Sequence, residues 1–152
     1  MSTRQVSDSN DPVIENITQL VEPMAGGEKP KDRWRIGTEH EKFVYCTNDH
    51  HAPSYDEPGG IKDLLLAMRE FGWQPVEEGG KVIAMSGSDG AISLEPAGQL
   101  ELSGAPLENL HETCNETGRH LQQVKAIGQK TGKGFLGMGM WPDKTRAELP
   151  IM

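Results

Sequence analysis

Glu39 and Glu41, in the stretch GTEHEKF from Gly37 to Phe43, stand two residues apart in what otherwise has the composition of a β-strand. Alternation along a strand sends every second side chain to one face, so both carboxylates would point the same way, about 7 Å apart. A second stretch, SLEPAGQLELSGAP, repeats the pattern: Gln99, Glu101 and Ser103 alternate with Leu100 and Leu102, and Glu95 lies just upstream across Pro96. A sheet pairing the two strands would gather Glu39, Glu41, Glu95 and Glu101 on one surface. At an effective dielectric near 20, two carboxylates about 7 Å apart repel by about 2 kcal/mol, so four together require shifted pKa values or cations.

Protein cations are poorly placed for this. Lys42 alternates to the face opposite Glu41, and Arg35 is two pleats from Glu39. All-oxygen donor sets select hard ions, so Mg²⁺, with Mn²⁺ as its substitute, is the expected partner; no Cys or His spacing supports zinc. The competing reading is a solvated strand face, the usual fate of an isolated charge pair. Glu95 and Glu101 weigh against it, as do Phe43 and Tyr45, which continue the Glu39 face and fit a partly covered cleft. Pattern alone leaves both readings open. His40 alternates away from the acids, and the pair His50 and His51 reads as solvated loop.

The elements that must position these residues follow from periodicity. Residues 1–11, rich in Ser, Asp and Asn, read as a disordered tail, and a single domain is expected over 12–152. Pro12 to Pro23 carries apolar residues at helical spacing, and RWRIGTEHEKFVYC reads as a strand. Ile61 to Phe71 has a helical stripe that Gly72 stops. Trp73–Val76, Lys81–Met85, Ala91–Leu94 and Gln99–Ser103 are short runs separated by EEGG, SGSDG and PAG, the pattern of an antiparallel meander with Gly-based turns. Leu107 to about Gln129 is the longest helix signal, with Leu110, Cys114, Thr117, Leu121, Val124 and Ile127 on one side, and GKGFLGMGMW reads as one more strand. The order implies an α+β fold: an antiparallel sheet with helices packed on one face and the other face free for a site.

Bulk properties narrow the function. The net charge of −8 and the lack of any long Lys or Arg run argue against nucleic acid as a partner. The most apolar stretch, Leu64 to Met68, is far short of a membrane span, so no membrane role is expected and a cytoplasmic protein is the simplest reading. Cys46 and Cys114 show no CxxC spacing and read as reduced, packed thiols.

Three ordered segments, IGTEHEKFVY, SLEPAGQLELSGAPLENLHETC and GFLGMGMWPDKTRAELPIM, resemble consecutive signatures of glutamate-cysteine ligase in the branch shared by plants and many proteobacteria. The resemblance runs from about Pro12 to the end and implies the first part of a glutamine-synthetase-like ligase catalytic domain. It implies the first step of glutathione biosynthesis, with glutamate, cysteine and ATP as small-molecule substrates and Mg²⁺ as cofactor. Carried over by position, it makes Glu39 and Glu41 catalytic and metal-binding, Glu95 and Glu101 metal-binding, and places Gln99 and Ser103 beside the bound substrates. Arg146, in KTRAE, is the matching basic residue for a substrate carboxylate or phosphate. Family members often carry Gly where this chain has Ala97. Family chains also run on well beyond the PIM motif, so an N-terminal piece with little activity alone is expected, prone to associate through open strand edges. A metal- or nucleotide-binding fragment without catalysis, and a ligase using another amine, are the alternatives.

Overall fold

The computed structural model describes residues 13–88 and 90–149, and the chain divides into two compact units, 1–35 and 36–152. The expected tail over 1–11 lies outside the described residues. In the first unit, helix α1 spans Thr18–Ala25, and a 3-10 turn follows at Lys31–Arg33. The expected helix began at Pro12 and stopped at Pro23; the observed one starts later and continues through Pro23. Asn16 and Gln19 cap its start reciprocally: Gln19 N donates to Asn16 Oδ1, and the backbone amides of Glu15 and Asn16 donate to Gln19 Oε1. Its apolar residues, from Ile14 to Met24, are exposed.

The second unit is an open six-stranded sheet in which every pairing is antiparallel, in the order β2-β3-β4-β5-β1-β6. The strands are β1 (Glu39–Cys46), β2 (Gln74–Glu78), β3 (Lys81–Gly87), β4 (Gly90–Glu95), β5 (Gln99–Gly104) and β6 (Lys133–Leu136). Helix α2 covers Ile61–Ala67 and tightens into a 3-10 turn at Met68–Phe71, which Gly72 ends in the left-handed region. The EEGG signal is a hairpin: Glu78 pairs with Lys81, and Gly79 and Gly80 both take positive φ, as a type I′ turn requires.

Leu64, Leu65 and Met68 of the α2 region pack with Ile92, Leu100 and Leu102 of the sheet and with Val124 and Ile127 of helix α3, Leu110–Thr131. This core buries one face of the sheet; on the opposite face Glu39 and Glu41 are exposed as the alternation predicts, whereas Gln99, Glu101 and Ser93 are themselves buried. Helix α3 departs from expectation. Its inward side is Glu116, His120, Val124, Ile127 and Gly128, whereas Leu110 and Leu121 are 72% and 45% exposed. The rotation has a polar cause. Glu116, buried under the end of β5, accepts from Ala105 N at 2.7 Å and from Thr38 Oγ1 at 3.3 Å, satisfying a donor where the strand ends. Cys114 is consequently exposed, not packed, while Cys46 is buried; both are free thiols. Among the described residues no helix is long and apolar enough to cross a membrane.

Candidate functional site

Strand β1 uses its two halves for different partners. Glu39 to Lys42 pair with β5 in the register Glu39↔Ser103, His40↔Leu102, Glu41↔Glu101 and Lys42↔Leu100, while Phe43 to Cys46 pair with β6. Directly opposed residues share a face, so Glu39, Glu41, Glu101 and Ser103 lie together on the side away from the helices. Strand β4 extends the surface, because Ser93 pairs with Glu101 and Glu95 with Gln99. The four carboxylates singled out from the sequence are thus on one face of three adjacent strands.

Their environments differ. Glu39 and Glu41 are exposed, whereas Glu101 is 2% and Gln99 7% exposed. The Gln99 amide donates to Glu41 Oε2, and Ser103 Oγ donates to Glu101 Oε1 at 2.7 Å. Each predicted polar neighbour therefore orients a carboxylate. Among the described residues neither Glu39 nor Glu41 pairs with a Lys or Arg. The nearest cation in sequence, Lys42, is buried on the helix side, where its Nζ donates to the His40 carbonyl at 2.9 Å. Burial there pushes the Lys42 ammonium down to about 8 and lowers His40 as well.

The donor set fits a hard divalent cation. It is oxygen from Glu39, Glu41 and Glu101, with a further oxygen in Ser93 Oγ, which is buried opposite Glu101 and has no hydrogen-bond partner. A shallow hollow of about 400 Å³ opens beside Glu39 and Glu41, walled by Gly137, Met138 and Gly139 just after β6. Farther along β1 the cleft is covered, because Trp141 packs edge-on against Phe43 with ring centroids 5.1 Å apart. Ser93 and the GMG segment are additions to the sequence reading. The SLE alternation of β4 could have given Ser93, but nothing local could place 137–139 beside the acids. Arg146 is not brought to them: it is exposed in a 3-10 turn, Arg146–Glu148, fixed by the Thr145–Glu148 capping box, and it pairs with no carboxylate among the described residues.

Residues 35–152 match the model of glutamate-cysteine ligase family 2. The chain belongs to this family. It is 49% identical over 134 residues to the chloroplastic glutamate–cysteine ligase of Brassica juncea, covering 88% of this chain and 26% of that protein. Against glutamate–cysteine ligase A, chloroplastic, of Oryza sativa subsp. japonica it is 44% identical over 151 residues, covering 93% of this chain and 30% of the relative. The Arabidopsis thaliana chloroplastic ligase gives 49% over 134 residues, covering 88% and 25%. The chain thus spans between a quarter and a third of the length of the curated relatives it matches. These names overturn the cytoplasmic reading: the relatives just described are named as chloroplastic proteins.

Proposed function

We propose that this chain supplies the acidic half of a glutamate–cysteine ligase site, which joins the γ-carboxylate of L-glutamate to the amine of L-cysteine at the expense of ATP, the first step of glutathione biosynthesis. The observation that supports it is the opposition of Glu41 and Glu101 at the centre of an all-oxygen face, in a chain related to ligases along most of its length.

In this reading Glu39, Glu41 and Glu101 hold Mg²⁺ or Mn²⁺, with Glu95 at the margin. The bound ion neutralises the ATP phosphates and the charge that develops during phosphoryl transfer. Gln99 holds Glu41 in place, Ser103 holds Glu101, and both flank the glutamate. The glutamate side-chain carboxylate attacks the γ-phosphorus of ATP to give γ-glutamyl phosphate, and the cysteine amine then displaces phosphate. Arg146 is the candidate for a substrate carboxylate or phosphate, which requires its exposed turn to close over the acidic face. The edge strands β2 and β6 leave backbone groups available for self-association.

The test is ADP release with Mg²⁺, ATP and glutamate, with and without cysteine, by a chain extended to the length of its relatives and by its Glu41→Gln variant. Cysteine-dependent release that the substitution abolishes is the expected result. Metal binding without ATP consumption would instead favour a binding module, and equal turnover with another amine would favour a different carboxylate–amine ligase. Robust turnover by the 152-residue chain alone would overturn the half-site reading.

A further inference from the structure

A second cluster of metal-ligating side chains lies away from the acidic face, at the end of β1. Cys46 Sγ stands 3.4 Å from His51 Nε2, and His51 Nε2 stands 3.1 Å from Glu57 Oε1, with all three atoms within 4.8 Å of one another. The backbone builds this proximity: Cys46 N donates to the His51 carbonyl at 2.9 Å, and His50 N donates to the Cys46 carbonyl at 2.9 Å.

Each outer atom of the cluster is already committed. Asp49 Oδ1 lies 2.7 Å from His51 Nδ1 and accepts a hydrogen bond from it, which holds the ring with Nε2 turned to the thiol and to Glu57 Oε1. Ser54 donates to Glu57 Oε2 twice, from its backbone N at 2.9 Å and its Oγ at 3.1 Å, which leaves Oε1 facing the imidazole. An imidazole nitrogen, a carboxylate oxygen and a thiol sulfur therefore converge on one point, and a metal bound there would displace any proton on Nε2 to solvent. A proton there can serve only one pair of them; a metal ion serves all three.

We infer that Cys46, His51 and Glu57 form a binding site for a borderline divalent ion, Zn²⁺ above all. Sulfur, nitrogen and oxygen donors at about 2.3, 2.0 and 2.1 Å from a tetrahedral zinc lie about 3.4–3.6 Å from one another, near the 3.4 Å between Sγ and Nε2 and the 3.1 Å between Nε2 and Oε1. The thiol loses its proton to solvent as the metal–sulfur bond forms. The fourth position is open, since the His51 side chain is 46% exposed, so water completes the shell. Thiolate excludes Mg²⁺ as the preferred occupant, which separates this site chemically from the acidic face. Bound metal would tie the loop after β1 to the segment leading into α2.

Titration of the chain with Co²⁺ tests this, because a thiolate ligand gives a charge-transfer band that oxygen donors cannot. One equivalent is expected to produce that band, Zn²⁺ to displace it, and Cys114→Ser to leave it intact. Cys46→Ser should abolish the band. His51→Gln and Glu57→Gln should weaken binding by at least about tenfold, and Asp49→Asn by about 10–100-fold, with circular dichroism checking each fold. Absence of the band, its loss in Cys114→Ser, or its survival unchanged in both His51→Gln and Glu57→Gln would overturn the assignment.

Discussion

Glu41 on β1 and Glu101 on β5 are direct cross-strand neighbours, one exposed and the other 2% exposed. Like charges opposed in this way destabilise an antiparallel pair, so the proposed metal face carries a cost when no ion is bound. Glu41→Gln in the metal-free chain is expected to raise stability by about 1 kcal/mol in urea unfolding. Mg²⁺ should raise the midpoint of the parent chain and leave the variant's unmoved. A variant no more stable than its parent would remove the repulsion on which this rests.

Ala97, in the turn between β4 and β5, takes φ +67°, where a Cβ atom is strained. Ala97→Gly is therefore expected to stabilise the fold by about 1 kcal/mol. The strain sits between Glu95 and Gln99, so relief without loss of metal binding would mark it as a local matter. A fall in the thermal midpoint would contradict the prediction.

Gly104 ends β5 against the carboxylate of Glu116, and a Cβ there would overlap Oε2. Gly104→Ala must push Glu116 away from Ala105 N, leaving a partly buried donor unsatisfied. A loss of about 2–3 kcal/mol is expected from chemical denaturation, and a change under about 0.5 kcal/mol would show that Glu116 has room to move.

His120 is 2% exposed, and neither ring nitrogen has a hydrogen-bond partner. Burial, with the positive charges of Lys42 and His40 facing it, pushes its pKa down to about 3 from an ordinary 6.5. The unfolded chain then binds a proton that the folded chain refuses over that whole window, so stability falls as pH drops from about 6.5 towards 3. Because carboxylates titrate nearby, the readout is a difference: the advantage of His120→Leu over the parent should grow by about 1.4 kcal/mol per pH unit on acidification below 6. A constant gap between the two acid-unfolding curves would mean that His120 is solvated.

Alternation was enough to assign Glu39, Glu41, Glu101 and Ser103 to one face, because a period of two depends only on local geometry. The meander was legible for a similar reason: EEGG and PAG are turn chemistry written in a few residues. Helix α3 was misread where polarity and burial part company. Glu116 and His120 are inside because the end of β5 and its neighbours set what faces them, while Leu110 and Leu121 are apolar yet exposed. The Cys46, His51 and Glu57 cluster was invisible because its spacing matches no ligand motif and depends on the loop folding back. Arg146 was assigned by resemblance alone, and its turn gives it no contact with the acids.

The place of β1 in the sheet dictates an order of events. It is the first of the described strands, yet its partners are far downstream: Glu41 meets Glu101 and Phe43 meets Leu136. The hairpins from β2 to β5 can zip locally, whereas seating β1 requires closure of loops of about sixty and ninety residues. The acidic face is consequently a late product of folding, and the nascent EHEKFVYC segment waits unpaired through most of the synthesis of this unit. Its two glutamates and one lysine then have a second use, as charges that keep a waiting strand from pairing with the wrong neighbour.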